Sequence, residues 1–137
     1  MANSLRKFHK FFGIFTLVVF ALTGLYMRLN IAHIDITNEK LRMMFRANHI
    51  YIMFAGIINI GLGSYLNFNK VNWKKRTQEA GSIFIILATL ALIAAFFLDP
   101  VSGSLHRSKT RLALISFFLG GLCHFFGGLG LSDQDRQ

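Results

Sequence analysis

Acidic residues are scarce in this 137-residue chain, with six Asp and Glu against fifteen Lys and Arg, and none of the six falls inside an apolar run. Proton- and cation-coupled carriers place a carboxylate within their membrane segments, so a small transporter or channel is the least favoured class. The single cysteine, Cys123, excludes an intramolecular disulfide and a multi-cysteine zinc or iron–sulfur site. It reads best as a small residue filling space in a helix interface. Only one proline is present, Pro100. There is no G-x-S-x-G elbow, no phosphate-binding glycine loop and no H-E-x-x-H pair, which disfavours hydrolytic and phosphoryl-transfer chemistry.

What the chain has instead is apolar residues, 53% of the total, gathered into four long blocks rather than spread in alternation. A membrane crossing needs about 20 such residues, so four crossings use most of the chain and leave no soluble domain. The expected fold is all-α, a four-transmembrane-helix antiparallel bundle forming one integral membrane domain over 1–137, with helices near 4–29, 38–66, 79–98 and 106–130. The formal charge of +9 comes from basic residues beside the apolar runs, where lipid headgroups are their counterions. Nucleic acid is therefore not an expected partner. The first apolar run is long, lacks an A-x-A-like site and is followed by three similar runs, so it reads as a membrane helix of the mature protein rather than a cleaved leader.

The blocks are Phe11 to Met27, Ile50 to Leu66, Ile83 to Leu98 and Leu112 to Leu131. The second has an amphipathic lead-in, KLRMMFRAN, with Thr37 or Asn38 as its N-cap. The third is expected to stop at Asp99-Pro100, because proline cannot continue a helix. Glycines in GGLG predict that the fourth helix loses its regularity before Leu131. Short connections make neighbouring helices antiparallel, so both termini share one membrane side with the NKVNWKKR loop. Lys and Arg divide almost evenly between the two sides. The flanks of the first helix, where Arg6, Lys7 and Lys10 outnumber Arg28, set the termini in the cytoplasm, with a bacterial inner membrane the expected location.

Five histidines are the most informative residues, since an ionisable group near hydrocarbon is costly and requires a partner. His9 and His124 fall at the end of the bundle that carries the termini; His33, His49 and His106 fall at the other. From His9 one helical face runs through Gly13, Thr16, Phe20, Thr23 and Met27, small and polar where lipid-facing positions are large and apolar. His124 shares its face with Gly120 and Gly127 or Gly128, a surface a flat macrocycle can lie against. His49 shares one with Met53, Gly56 and Gly63, with Asn59 beside it, and the third helix, without histidine, reads as a packing strut.

Two imidazoles from facing helices fill both axial positions of a haem iron and favour electron transfer. His9 with His124 is the expected pair, and His49 with His106 a second. Arg6 near His9 and Arg46 one turn before His49 are candidates for holding haem propionates. On the blander reading the histidines are interfacial or hydrogen-bonded across helices and the glycines are ordinary packing devices. The first pair carries a difficulty of depth, because His9 sits at the membrane boundary while His124 lies about 10 Å inside the end of a helix that stays regular to Leu131; early fraying at Gly127 and Gly128 would remove most of that mismatch.

The segment RKFHKFFGIFTLVVFALTGLYM, with basic residues around His9, Gly13 one turn later and Thr23-Gly24 toward the far end, resembles the first helix of small membrane b-type cytochromes and of PepSY-type membrane proteins. The resemblance covers about a sixth of the chain and implies that His9 ligates haem b; it carries over no other residue. The expected function is thus membrane electron transfer with one or two haems b, linked to a quinone or to another membrane subunit as part of an oxidoreductase. The alternative is a structural or accessory subunit whose glycine-lined faces dock onto a larger complex.

Overall fold

A computed structural model of the chain describes residues 2–31, 39–101 and 106–129. Among them are four α-helices: α1 (Ala2–Tyr26), α2 (Glu39–Tyr65), α3 (Asn72–Val101) and α4 (Ser108–Gly128). No strand is present among the described residues. The expected caps Thr37 and Asn38, and His33, lie outside them. Each helix packs on the one before it, α1 on α2, α2 on α3 and α3 on α4. Each pair is antiparallel: Gly63 lies against Lys10 while Gly24 lies against His49, and Gly127 lies against Gln78 while Asp99 meets Thr110.

The helix ends differ from those expected in ways that have local causes. After Tyr26 the first helix widens into a π-helical turn, Met27–Ile31, where the Asn30 amide donates to the Tyr26 carbonyl at 3.1 Å. Helix α3 starts at Asn72, seven residues before 79, because its polar first turns are tied down. Gln78 accepts from the Asn69 backbone N–H at 2.8 Å and donates to the Asn67 carbonyl at 3.1 Å, while Thr77 donates to the Trp73 carbonyl. Nor does α3 stop at Asp99-Pro100: it runs through Pro100 to Val101. In the last turn proline's missing N–H costs a single helical hydrogen bond, to the carbonyl of Phe96. Helix α4 stays regular through Gly128, and its first turn follows Arg107, a left-handed residue (φ 38°, ψ 48°) with no side-chain cap of its own. His106 precedes the helix instead of opening it.

Three segments, Asn3–Asn30, Asn72–Pro100 and Ser108–Gly128, are long and apolar enough to cross a membrane. Helix α2 is as long, but Asn48, His49 and Asn59 in its apolar half keep it out of that group. The reason lies in the packing, since Asn48 and Asn59 are fully buried while Ile50, Phe54 and Ile57 point outward. The same inversion holds for the whole molecule. Large apolar side chains such as Phe11, Leu22, Leu87, Leu112 and Phe118 cover the outside, and much of the interior is polar.

Helix α3 shows how this comes about. Gln78, Ser82, Ile85, Thr89, Leu92, Phe96 and Asp99 are all buried, at alternating spacings of four and three that keep one seam facing the neighbours. Four of the seven are polar, so the helix expected to be a packing strut is also the bundle's hydrogen-bonding spine. Small clusters fill the gaps, Phe45, Ile52 and Phe96 in one and Ala55, Leu92 and Ala113 in the other.

Candidate functional site

His9 is completely buried on α1, together with Gly13, Thr16 and Thr23 of the stripe read from the sequence. Its Nδ1 lies 2.7 Å from Oδ1 of Asn59 on α2. The Asn59 amide in turn donates to the Ala55 carbonyl at 2.8 Å and to Thr89 Oγ1 of α3 at 3.0 Å. Three helices are thus joined at one level by His9, Asn59 and Thr89. Around the corner His124 of α4 places Nε2 at 3.2 Å from Ser82 Oγ, two turns from Thr89 along α3.

Each ring has one nitrogen occupied and one bare. Among the described residues, His9 Nε2 and His124 Nδ1 are buried without a hydrogen-bond partner. Such atoms are rare in folded proteins, since an unpaired buried polar group costs about 1–3 kcal/mol. The depth difficulty also eases. Because α1 begins at Ala2, His9 lies seven residues, about 10 Å, inside its helix, while His124 lies four residues, about 6 Å, inside an α4 that ends at Gly128. The two levels differ by about 4 Å, and His124 is shallower than expected because α4 ends at Gly128 and not at Leu131.

The glycines expected to clear a slot beside the histidines serve another purpose. A Cβ on Gly13 would meet Ile60 and the Gly56 carbonyl of α2, and one on Gly120 would meet Ile85 and the Gly81 carbonyl of α3. One on Gly127 would meet Gln78 and the Lys74 carbonyl. All three let a neighbouring backbone approach, so the macrocycle surface expected of them is taken by helix packing. Cys123 keeps its expected role, with its Cβ against Gly81.

The remaining candidates are dispersed. Arg6 donates to the Ser64 carbonyl at 3.1 Å, tying the start of α1 to the end of α2. Arg46 is exposed at the opposite end of the bundle, in a shallow basic groove with Glu39, Lys40, Arg42 and Met43, far from His9. His49 stacks on Phe20 at 4.0 Å and sets Nδ1 2.9 Å from Thr23 Oγ1. It is thereby turned to α1, away from the side of α2 where Asn48 and Tyr51 receive Arg107. His106 is exposed before α4.

Sequence reading missed Ser82, Thr89, Asn48 and Thr110, and took Asn59 only as a neighbour of His49's face. A signal was present: Ser82 and Thr89 are seven residues apart in an apolar helix, and Asn48 and Asn59 eleven, both helical repeats of one face. Among the described residues no three His, Cys, Asp or Glu side chains gather as a group that could hold a metal ion. Compared with family models, curated proteins and solved structures, the chain matches none.

Proposed function

We propose that the chain is an integral membrane electron-transfer protein of the b-type cytochrome kind, with His9 and His124 holding one haem b. The observation that carries the reading is the pair of bare, buried imidazole nitrogens, His9 Nε2 and His124 Nδ1, on rings tied to Thr89 through Asn59 and to Ser82 directly, two turns apart on α3. Two bare imidazole nitrogens are the donor set that bis-histidine haem requires, and the haem, when bound so, supplies one-electron transfer without an open site for oxygen. The chain's part is to hold the rings, exclude water and provide a low dielectric. Asn59 and Ser82 orient the imidazoles, and the phenylalanine- and leucine-covered exterior keeps water away.

Four crossings are part of this reading. The outward apolar face of α2, with Met43, Ile50, Phe54 and Ile57 each more than half exposed, would be an aggregation-prone patch in water and is an ordinary lipid contact in a bilayer. The basic cluster of Arg6, Lys7 and Lys10 favours termini in the cytoplasm of a bacterial inner membrane. A quinone or another membrane subunit would exchange the electrons.

A second reading is a structural or accessory subunit without its own cofactor: the seams at Gly13, Gly120 and Gly127 are filled by the chain's own helices, which leaves no slot for a macrocycle there and also takes the glycine faces expected to dock onto a larger complex. One experiment separates the two. Protein made in cells supplied with haem precursor and purified in mild detergent should give a reduced-minus-oxidised haem b spectrum, abolished in His9→Ala and in His124→Ala. A featureless spectrum removes the cytochrome reading and leaves the accessory subunit.

A further inference from the structure

We infer that Asn59 is a positioning residue that holds His9 in the Nδ1–H tautomer, so that Nε2 faces the bundle interior as an unprotonated lone pair. This deepens the proposed function, since a ring nitrogen must be unprotonated to ligate a metal. The proton positions follow from a chain of groups whose roles are not interchangeable. The Ala55 carbonyl only accepts, so the Asn59 side-chain atom 2.8 Å from it is the NH2. The same NH2 meets Thr89 Oγ1 at 3.0 Å, and that hydroxyl has already committed its proton to the Ile85 carbonyl at 2.8 Å, so it receives. The atom that Asn59 turns to His9 is therefore its carbonyl oxygen, which also only accepts. The proton in the 2.7 Å contact sits on His9 Nδ1.

Two backbone carbonyls, of Ala55 on α2 and Ile85 on α3, thus dictate which nitrogen of an α1 histidine is bare. The bare nitrogen is the one that has no partner among the described residues. A hydrogen bond from one ring nitrogen to a fixed carbonyl oxygen orients a metal-ligating histidine and raises the basicity of its other nitrogen. It is complete only when α1, α2 and α3 are all docked, so an unassembled α1 does not offer the ligand.

The test is 15N NMR of the histidine-labelled full chain in lipid nanodiscs, before haem loading, with exposed His106 as the internal reference. Wild type should show His9 as a single species protonated at Nδ1 and bare at Nε2. Asn59→Leu should lose it and move His9 toward Nε2–H. Should the leucine variant fail to fold, wild type alone decides. An Nε2–H or averaged His9 signal in wild type overturns the inference. Failure of the cytochrome reading looks different: an Nδ1–H signature beside a featureless absorption spectrum leaves this assignment standing, and a haem spectrum beside an Nε2–H signature removes it alone.

Discussion

Asp99, near the end of α3, accepts the backbone N–H of Thr110 at 2.9 Å, so the first turn of α4 is capped by the helix before it. An α-helix begins with backbone donors that have no partner in the helix, and a negative charge there is favoured by the peptide dipoles. Arg107, at the N-cap position, supplies no side-chain acceptor. The same carboxylate meets the Thr110 hydroxyl, and Asn48 of α2 closes the group by receiving Arg107 and donating to the Ala95 carbonyl. Asp99→Ala is expected to cost about 1–2 kcal/mol for the lost cap, the Thr110 hydroxyl keeping Asn48 Oδ1 as an acceptor at 3.0 Å. Asp99→Asn, which retains one acceptor, should cost less. Thermal unfolding in detergent measures both, and an unchanged midpoint for the alanine variant would sink the capping argument.

Two glycines on α2 make a matched pair for testing helix packing. A Cβ on Gly63 would run into the backbone of Lys10, which has no way to yield, whereas one on Gly61 would meet nothing within 4 Å. Gly63→Ala should therefore part α1 from α2 and cost about 1–3 kcal/mol. Gly61→Ala should be neutral or stabilise by up to about 1 kcal/mol through helix propensity. Equal effects of the two substitutions on the unfolding midpoint would mean that α1 and α2 do not meet in this register.

If the chain holds haem as proposed, the contacts of His49 predict one haem per chain. Its ring is spoken for by Phe20 and Thr23, and His106 is exposed elsewhere. His49→Ala should lose about 1 kcal/mol of stability with the stacking and the hydrogen bond, yet retain the wild-type haem content per milligram of protein. Halved haem content in that variant would restore a second site.

Single cysteines introduced into a Cys123→Ser background test the four crossings. Cysteines at Asn3 and Lys70 should be labelled by a membrane-impermeant maleimide from one side of the membrane, and those at Lys40 and Ser108 from the other. Labelling of Lys40→Cys and Lys70→Cys from the same side would mean that α2 does not cross.

Much of this architecture is legible in the residues alone, and the reasons differ from element to element. The stripe from His9 through Thr16 to Thr23 is visible because it repeats at seven residues on an otherwise apolar helix, and burial of all three follows. Ser82 and Thr89 repeat at the same spacing, yet hydroxyl residues in apolar helices often bond only to their own backbone, as Thr16 does to the Phe12 carbonyl. Nothing local distinguishes Thr16 from Thr89, whose oxygen receives Asn59. The apparent stop at Asp99-Pro100 misled for a related reason. Proline's cost at a helix end is small, and the partner that Asp99 finds in α4 is invisible from within α3.

What the order of residues decides on its own is the set of helices and the side of each that carries large apolar groups, because a period of 3.6 residues is a property of one segment. Which polar atoms meet depends on the register between helices: His9 with Asn59 across fifty residues, His124 with Ser82 across forty-two, and glycine faces closed on Ile60, Ile85 and Gln78 instead of standing open. That register is set by close backbone contact at Gly13, Gly63, Gly81 and Gly120, a fit of shapes that exists only once the helices lie side by side.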